Sequence, residues 1–332
     1  MKNEKVTITD IADALGISSV SISRALSGQP GVSEVLKSKI FEKAQEMGYV
    51  KTKKNVPQTN ILVLHQKPYS ADNSNFSSMI QGIEKELQKA DADYHVEFID
   101  KSAQNKLALP YKLSKVSNFD GVILIGRFNL EYAAFINQKI RNLIFFTGYS
   151  PAYDYDSVWF SFNNAGYKQC EYLIKKGHKS IGFIGSNTFY RNKEKLLGIT
   201  SALEDYQIQI HTEFFLDLDK DYHEKLGGLI TAKKSPTAFI CDHDFTAVEL
   251  IKLLYENNIK VPNDISIVSS GNTEMSALSM PALTTLDLNL AYACKIVVRT
   301  LLNRISCPDK PSENIAILSS LVERDSVNNL WA

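Results

Sequence analysis

With 332 residues, 44% of them hydrophobic, the chain exceeds one ordinary domain and can bury more than one sizeable core. Its formal net charge is zero, but residues 1–54 carry nine lysines and arginines against six acidic residues, so a basic head, as suits a DNA-facing end, precedes a mildly acidic body. Cys170, Cys241, Cys294 and Cys307 form no C-x-x-C pair, which argues against a zinc site or disulfide framework; with no apolar signal region or bilayer-length apolar stretch, a cytoplasmic protein is expected.

The first informative stretch is Thr7 to Ser27, T-I-T-D-I-A-D-A-L-G-I-S-S-V-S-I-S-R-A-L-S. Ile8, Ile11, Ala12 and Leu15 fall on one face of a short helix, and Ile17, Val20, Ile22, Ala25 and Leu26 supply the apolar positions in and around a second. Gly16 between them tolerates the positive φ of a sharp turn. Thr9 is the expected cap of the first helix and Ser18 of the second. The second helix of such a helix-turn-helix can lie in the DNA major groove. Ser18, Ser19, Ser21, Ser23 and Arg24 leave it a narrow apolar stripe, and small hydroxyls with one arginine suit phosphates and base edges better than packing.

A third helix is expected over about 33–47, with Val35, Ile40, Ala44 and Met47 inward and Tyr49 closing the head. Lys51 to Asn60, K-T-K-K-N-V-P-Q-T-N, is basic, polar and interrupted by Pro57, and reads as a flexible tether. From Ile61 short apolar runs alternate with amphipathic stretches. The runs are I-L-V-L-H (61–65), Y-H-V-E-F-I (94–99), G-V-I-L-I (121–125), L-I-F-F-T (143–147), I-G-F-I-G (181–185), T-A-F-I-C (237–241) and I-S-I-V-S (265–269). Phe76, Met79, Ile80, Ile83 and Leu87 line one face of a helix between the first two, and a further helix over about 288–303 is expected to pack against a lobe. Nearly all-apolar strands alternating with helices argue parallel, doubly wound sheets in two lobes, with ligand at the carboxyl ends of the strands. No G-x-G-x-x-G, P-loop, G-x-S-x-G or H-E-x-x-H occurs, and the six histidines are scattered, His178 in K-K-G-H-K reading as a loop residue. No constellation for catalysis is present, and neither a metal nor a cofactor is implied.

Ile17 to Ser27, running on into G-Q-P-G-V-S-E-V-L-K-S-K-I-F-E-K-A-Q-E-M-G-Y (28–49), resembles the DNA-binding head of the lactose/galactose repressor family. The family's recognition helix reads V-S-x-x-T-V-S-R-x-L-N and is followed by a loop, V-S, a third helix and G-Y; here Ser21, Ile22 and Ser27 replace its Thr, Val and Asn. The resemblance implies that Thr7, Thr9, Ser19, Val20, Ser21, Ser23, Arg24 and Ser33 face DNA, with Ser19 and Val20 reading bases, and that Lys37 touches phosphate. The family's Pro-Asn and A-R-x-L linker, which folds on DNA, is missing from residues 51–60, so the tether reading stands in place of a hinge helix.

The body, Ile61 to Ser326, is similar to the same family through F-D-G-V-I-L-I (119–125), Y-L-I-K-K-G-H-K-S-I-G-F-I-G (172–185), V-P-N-D-I-S-I-V (261–268), P-A-L-T-T-L (281–286) and L-V-E-R-D-S (321–326), most of all to its evolved β-galactosidase repressor branch. That implies an all-α head on 1–50, a linker on 51–60 and, on 61–332, a two-lobed α/β body like a periplasmic binding protein, closing over a sugar and dimerising along its lobes. Lys195 in K-L-L-G stands at the family's sugar-binding arginine. Asp244 in H-D-F-T-A stands at the aspartate of (N/S)-D-x-x-A, where it accepts from sugar hydroxyls or caps a helix over 245–257. Thr147 and Ser161 stand where relatives often carry Asp, and Asn272 lies in the turn that is G-F-D-D in the family. Phe76, Phe160 and Tyr222 are candidates to stack on a sugar face, and Arg127, after a strand end, is a further polar candidate. The implied protein is a homodimeric repressor binding operator DNA under control of a galactoside-type sugar. A nucleobase-type metabolite is the alternative effector, and a carbohydrate-processing enzyme or binding protein the alternative class.

Overall fold

The computed structural model describes residues 6–26, 31–49, 59–66, 76–116, 118–148, 154–220 and 222–331, the side chain of Phe76 excepted. The chain divides into two compact units, Met1–Gln58 and Thr59–Ala332. Of the expected tether, residues 51–58 lie outside the described residues, and Asn60 already opens the first strand of the second unit.

In the first unit α1 (Ile8–Leu15), α2 (Ser19–Leu26) and α3 (Glu34–Glu46) enclose a small core of Ile11, Ala12, Ile22, Ala25, Ile40 and Ala44. Gly16 ends α1 at φ 66° with its N–H donating to the Ala12 carbonyl, the left-handed turn its lack of Cβ permits. Ser18 caps α2, its Oγ accepting from the Ser21 N–H at 3.2 Å. The cap of α1 is Thr7, not Thr9. A capping box needs an acidic or amide side chain three residues on: Asp10 follows Thr7 at that spacing and accepts from its N–H at 2.6 Å, whereas Ala12 follows Thr9. Val35 also departs from expectation, being 71% exposed. It lies five residues before Ile40, off the inward row, and Leu36, four before, packs on the core instead.

The second unit builds β1 (Asn60–Gln66), α4 (Phe76–Lys89), β2 (Asp93–Ile99), α5 (Lys101–Asn105), α6 (Tyr111–Lys115), β3 (Gly121–Ile125), α7 (Leu130–Asn137), β4 (Leu143–Phe146) and β5 (Asp156–Phe160) into a first lobe. It then crosses to a second through α8 (Phe162–Lys175), β6 (Ile181–Gly185), α9 (Tyr190–Asp205), β7 (Phe215–Asp217), α10 (Tyr222–Thr231), β8 (Ala238–Cys241), α11 (Asp244–Glu256), β9 (Ser266–Ser270), α12 (Glu274–Leu278) and β10 (Thr284–Asp287). It returns through α13 (Leu290–Ser306) and β11 (Asn314–Ile317) and crosses once more to β12 (Ser320–Val322). The first sheet, β11-β5-β4-β3-β1-β2, is parallel throughout. The second, β12-β10-β9-β8-β6-β7, is parallel except for β12, which runs against β10.

The all-apolar runs follow from burial of both faces. Ile61, Val63, Ile123 and Ile144 pack with α4 and α13, while Leu62, Leu64, Val122 and Leu124 pack with α7 on the other side. In the second lobe Phe239 and Ile267 join α10 and α11, while Phe183 and Ile240 join α8 and α9. All seven expected strands form. Five more, β5, β7, β10, β11 and β12, carry polar residues at sheet edges or beside the lobe crossings, where an apolar run is not required.

At the start of β5, Asp156 is only 1% exposed and accepts from Arg304 Nε at 2.8 Å, Arg304 Nη2 at 2.9 Å, Lys310 Nζ at 2.9 Å and the Glu313 N–H at 2.8 Å. Burial alone raises a carboxyl's pKa, but these bonds outweigh it and hold Asp156 below the usual carboxylate range. The cluster ties the end of α13 to the first sheet.

Candidate DNA-binding head and interlobe effector site

On α2, Ser19, Val20, Ser23 and Arg24 are exposed and Ser21 is half-buried, while Ile22 and Ala25 face the head's core. Val20, 59% exposed among serines, is available for the apolar contact that a thymine methyl group takes. Ser21 Oγ lies 2.9 Å from Ser18 Oγ, within the cap of the helix. Thr9 is exposed on α1, whereas the Thr7 hydroxyl is committed to its capping box. Ser33 caps α3 through the Leu36 N–H, and Lys37 Nζ lies 2.6 Å from Glu34, an ion pair weak enough to exchange for a phosphate. The expected DNA-facing residues thus divide into exposed groups on α1 and α2 and cap groups that also shape the helices.

In the body, Arg127 follows β3 and Tyr190 opens α9 after β6; the guanidinium stands 5.0 Å over the tyrosine ring. The carboxyl ends of the two sheets therefore face each other. The strand orders reverse between β1 and β3 and between β6 and β8, and crevices at such switch points hold the ligands of doubly wound folds. Thr147, at φ 68° after β4, and Ser161, after β5, are half-buried at the same end of the first lobe. Phe76 opens α4, and its side chain lies outside the described residues.

Beneath the second lobe's strand ends lies a polar frame. α8 and α9 approach backbone to backbone because Gly166 and Gly198 lack Cβ atoms, which would collide with the Lys195 and Asn163 carbonyls. That approach buries Lys195, 1% exposed, which donates to the Asp242 carbonyl at 2.5 Å and to Ser270 Oγ at 2.8 Å. Burial lowers its pKa to about 8 against the pull of Asp242. Lys195 is therefore a pillar under the cleft, not a donor on its surface. Asp242 accepts from Asn192 Nδ2 at 3.0 Å and Thr246 Oγ1 at 2.8 Å.

Asp244 takes neither role expected of it. Its Oδ1 accepts from Ser269 Oγ at 2.5 Å and Thr285 Oγ1 at 2.7 Å, and its Oδ2 from the Thr273 N–H and Oγ1, both at 2.8 Å. A carboxylate has about four acceptor sites, so all are committed. The cap of α11 is His243, whose Nδ1 accepts from the Thr246 N–H at 3.3 Å. Asn272, at φ 47°, donates to Asp287 Oδ2 at 3.1 Å and accepts from Arg324 Nη2 at 2.7 Å. Phe160 is buried against Phe146 and Phe162, on the β5 face that packs in the first lobe's core. Tyr222 is buried with Leu226, Phe239 and Cys241 on the inward face of α10, and burial raises its pKa. Neither ring offers a face to a sugar. His178 lies in a loop as expected, but buried, its ring nitrogens 3.0 Å from Thr237 Oγ1 and 3.2 Å from the Asn328 carbonyl.

The lobe crossings are pinned to one another. Asn289 Nδ2 donates to the Leu318 carbonyl at 2.8 Å and Ser320 Oγ at 3.0 Å, the Asn289 N–H donates to Asp287 Oδ1 at 2.7 Å, and the Ser161 N–H donates to the Ile317 carbonyl at 3.1 Å. Asp287, Asn289, Tyr190, Asn192 and Asp242 escaped the motif search; the available signal was their position at a strand's carboxyl end or within the few residues that follow it. Among the described residues no group of His, Cys, Asp and Glu could hold a metal, and no helix is long and apolar enough to cross a membrane.

The Lys195 pKa has a measurable consequence. Below about pH 8 the folded protein holds a charge that burial disfavours; above it the folded state sheds a proton that the unfolded chain, with a pKa near 10.4, retains. Stability from this group therefore rises with pH. Comparing the protein with Lys195→Met cancels the buried thiols, which titrate in the opposite sense. The stability difference should shift in the unsubstituted protein's favour by about 1 kcal/mol between about pH 7.5 and 9. Urea midpoints at the two pH values read it, and a flat difference would mean that the ammonium is solvated.

Residues 170–327 match the family model described as periplasmic binding protein-like domain. The HTH-type transcriptional regulator GanR of Bacillus subtilis (strain 168) is 27% identical over 97% of this chain and 99% of its own length. Among solved structures, the lac repressor dimer bound to operator and the anti-inducer ONPF aligns over 98% of this chain and 100% of its own, with TM-score 0.68 and 21% identity. A complex of the transcriptional regulator CelR with cellobiose aligns over 97% of this chain and 100% of its own, with TM-score 0.67 and 16% identity.

Proposed function

We infer that this chain, which belongs to the lactose/galactose repressor family of transcriptional regulators, is a homodimeric repressor whose operator affinity is set by a small carbohydrate held between its two lobes. The observation that carries this reading is one chain combining a helix-turn-helix, whose α2 exposes serines, a valine and an arginine, with facing carboxyl ends of two doubly wound sheets. The likeness to GanR runs through head and body together, which supports a head that belongs to the regulator and not an incidental attachment. The cellobiose in the CelR structure supports a carbohydrate ligand.

Two heads would read a pseudo-palindromic operator in the cytoplasm, with half-sites about 34 Å apart or a multiple of it. Ser19 and Val20 would read bases; Thr7, Thr9, Ser21, Ser23, Arg24, Ser33 and Lys37 would position the head. Ligand would bias the lobes between two arrangements about the crossings pinned by Asn289, with a coupling of about 1–3 kcal/mol. Fluorescence anisotropy with DNA from upstream of the chain's own gene, with and without a panel of mono- and oligosaccharides, tests this. Binding that weakens with salt and changes roughly 5- to 150-fold with one sugar is expected. Turnover of a glycoside, or no DNA binding, would overturn the reading.

A further inference from the structure

Neutral sugars are gripped by carboxylates, each able to accept from two hydroxyls. At this cleft the described aspartates each accept hydrogen bonds within the protein. Asp217 accepts from the Asn187 N–H and Nδ2, each at 3.1 Å, and lies 3.6 Å from Lys220. Asp219 accepts from Ser186 and Thr188, hydrogen bonds that hold its pKa below the ordinary value. Asp244 has its acceptor sites filled, Asp242 accepts from Asn192 and Thr246, and Asp287 accepts from Asn272 and the Asn289 N–H.

Donors stand opposite. Arg127 lies at the β3 end of the first lobe's switch point, is exposed, and makes no ion pair among the described residues. Its contact is with the Tyr190 ring, which orients a guanidinium while leaving its N–H edge for a bidentate partner. Tyr190 begins α9, a 16-residue helix whose N-cap, Phe189, supplies no side-chain cap. The positive end of that helix dipole thus lies beside the guanidinium. A second guanidinium, Arg191, stands 4.5 Å over the Phe189 ring. In the same first turn Asn192 is fully buried; its Nδ2 donates to the Ser186 carbonyl and Asp242, and its Oδ1 has no hydrogen-bond partner among the described residues. That acceptor lacks a donor among the described residues, and the exposed Arg127 guanidinium at the amino end of the helix calls for an anionic group.

We propose that the effector is an acidic sugar, a polyhydroxylated molecule bearing a carboxylate or phosphate, with its anionic group on the Arg127 fork at the amino end of α9. This rests on the reading of the interlobe cleft as the effector site. Lys195 is not the ligand's counter-charge, because it lies under the frame and its two hydrogen bonds are internal.

Titration calorimetry on the full chain with matched sets tests the class: galactose, galacturonate and galactose 6-phosphate; glucose, glucuronate and glucose 6-phosphate. One acidic member should bind roughly 10- to 100-fold more tightly than its neutral parent, and its affinity should fall with salt. Which acid wins separates carboxylate from phosphate. Arg127→Ala should remove the preference, and Arg127→Lys, which keeps the charge without the fork, should keep only part of it. Arg127 is exposed, so an unchanged melting midpoint checks that both variants fold. A neutral parent that binds as tightly as its acid, with Arg127→Ala unaffected, would overturn the proposal and leave the sugar-responsive regulator standing. Silence from all six compounds would overturn this inference, while the panel of mono- and oligosaccharides decides the carbohydrate reading separately.

Discussion

Arg24→Ala is expected to abolish operator binding while leaving the body's ligand response intact. Arg24 is exposed on α2 beside Ser23 and lies outside the core formed by Ile22 and Ala25, so truncating it should not unfold the head. A guanidinium contact to base or phosphate is worth about 1–3 kcal/mol. A homodimer makes it twice, so the loss reaches about 2–6 kcal/mol, roughly 30- to 20,000-fold in affinity. Gel-shift titration at fixed salt measures this, with Val35→Ala as a control because Val35 is exposed on α3 and belongs to neither the core nor the expected DNA face. Retained affinity would remove Arg24 from the interface. A parallel fall in the control would mean that the head had lost its fold instead.

The head was legible because its signals are local. Gly16, the Ser18 and Ser33 caps and the apolar spacing act within a few residues, and the three helices follow from them. The exceptions, Thr7 in place of Thr9 and Leu36 in place of Val35, are shifts of one or two positions that spacing alone resolves poorly. In the body, sheets buried on both faces announced themselves as apolar runs. The polar interior did not. Whether Lys195 reaches a ligand or lies beneath the site depends on how closely α8 and α9 approach, which Gly166 and Gly198 decide from different helices. Whether Phe160 stacks on a sugar depends on which face of β5 meets α13. A family motif put Lys195 at the site and its aromatic ring made Phe160 a candidate, but neither signal told on which side of the site's surface the residue lies.

Asp244 carries the largest stability effect expected in the body. Its carboxylate ties the first residue of α11 to β9, to β10 and to the turn at Gly271–Thr273, and it is 1% exposed. Asp244→Ala would strand four donors in a space without replacements, at a cost of about 3–5 kcal/mol. Asp244→Asn should recover only part of it, because the amide oxygen can keep the Thr273 donors while the hydroxyls of Ser269 and Thr285 must turn from donating to accepting. For a body of this size the loss corresponds to a melting midpoint lower by roughly 10 °C. A carboxylate devoted to a sugar would behave in the opposite way: its replacement would spare the ligand-free midpoint, or raise it by relieving an unpaired buried charge, and would abolish only the shift that ligand adds. Thermal scans of both variants with and without ligand separate the two roles. A ligand-free midpoint at the unsubstituted value would return Asp244 to the binding surface, whereas the expected fall would assign recognition to the groups above the frame that Asp244 holds in place.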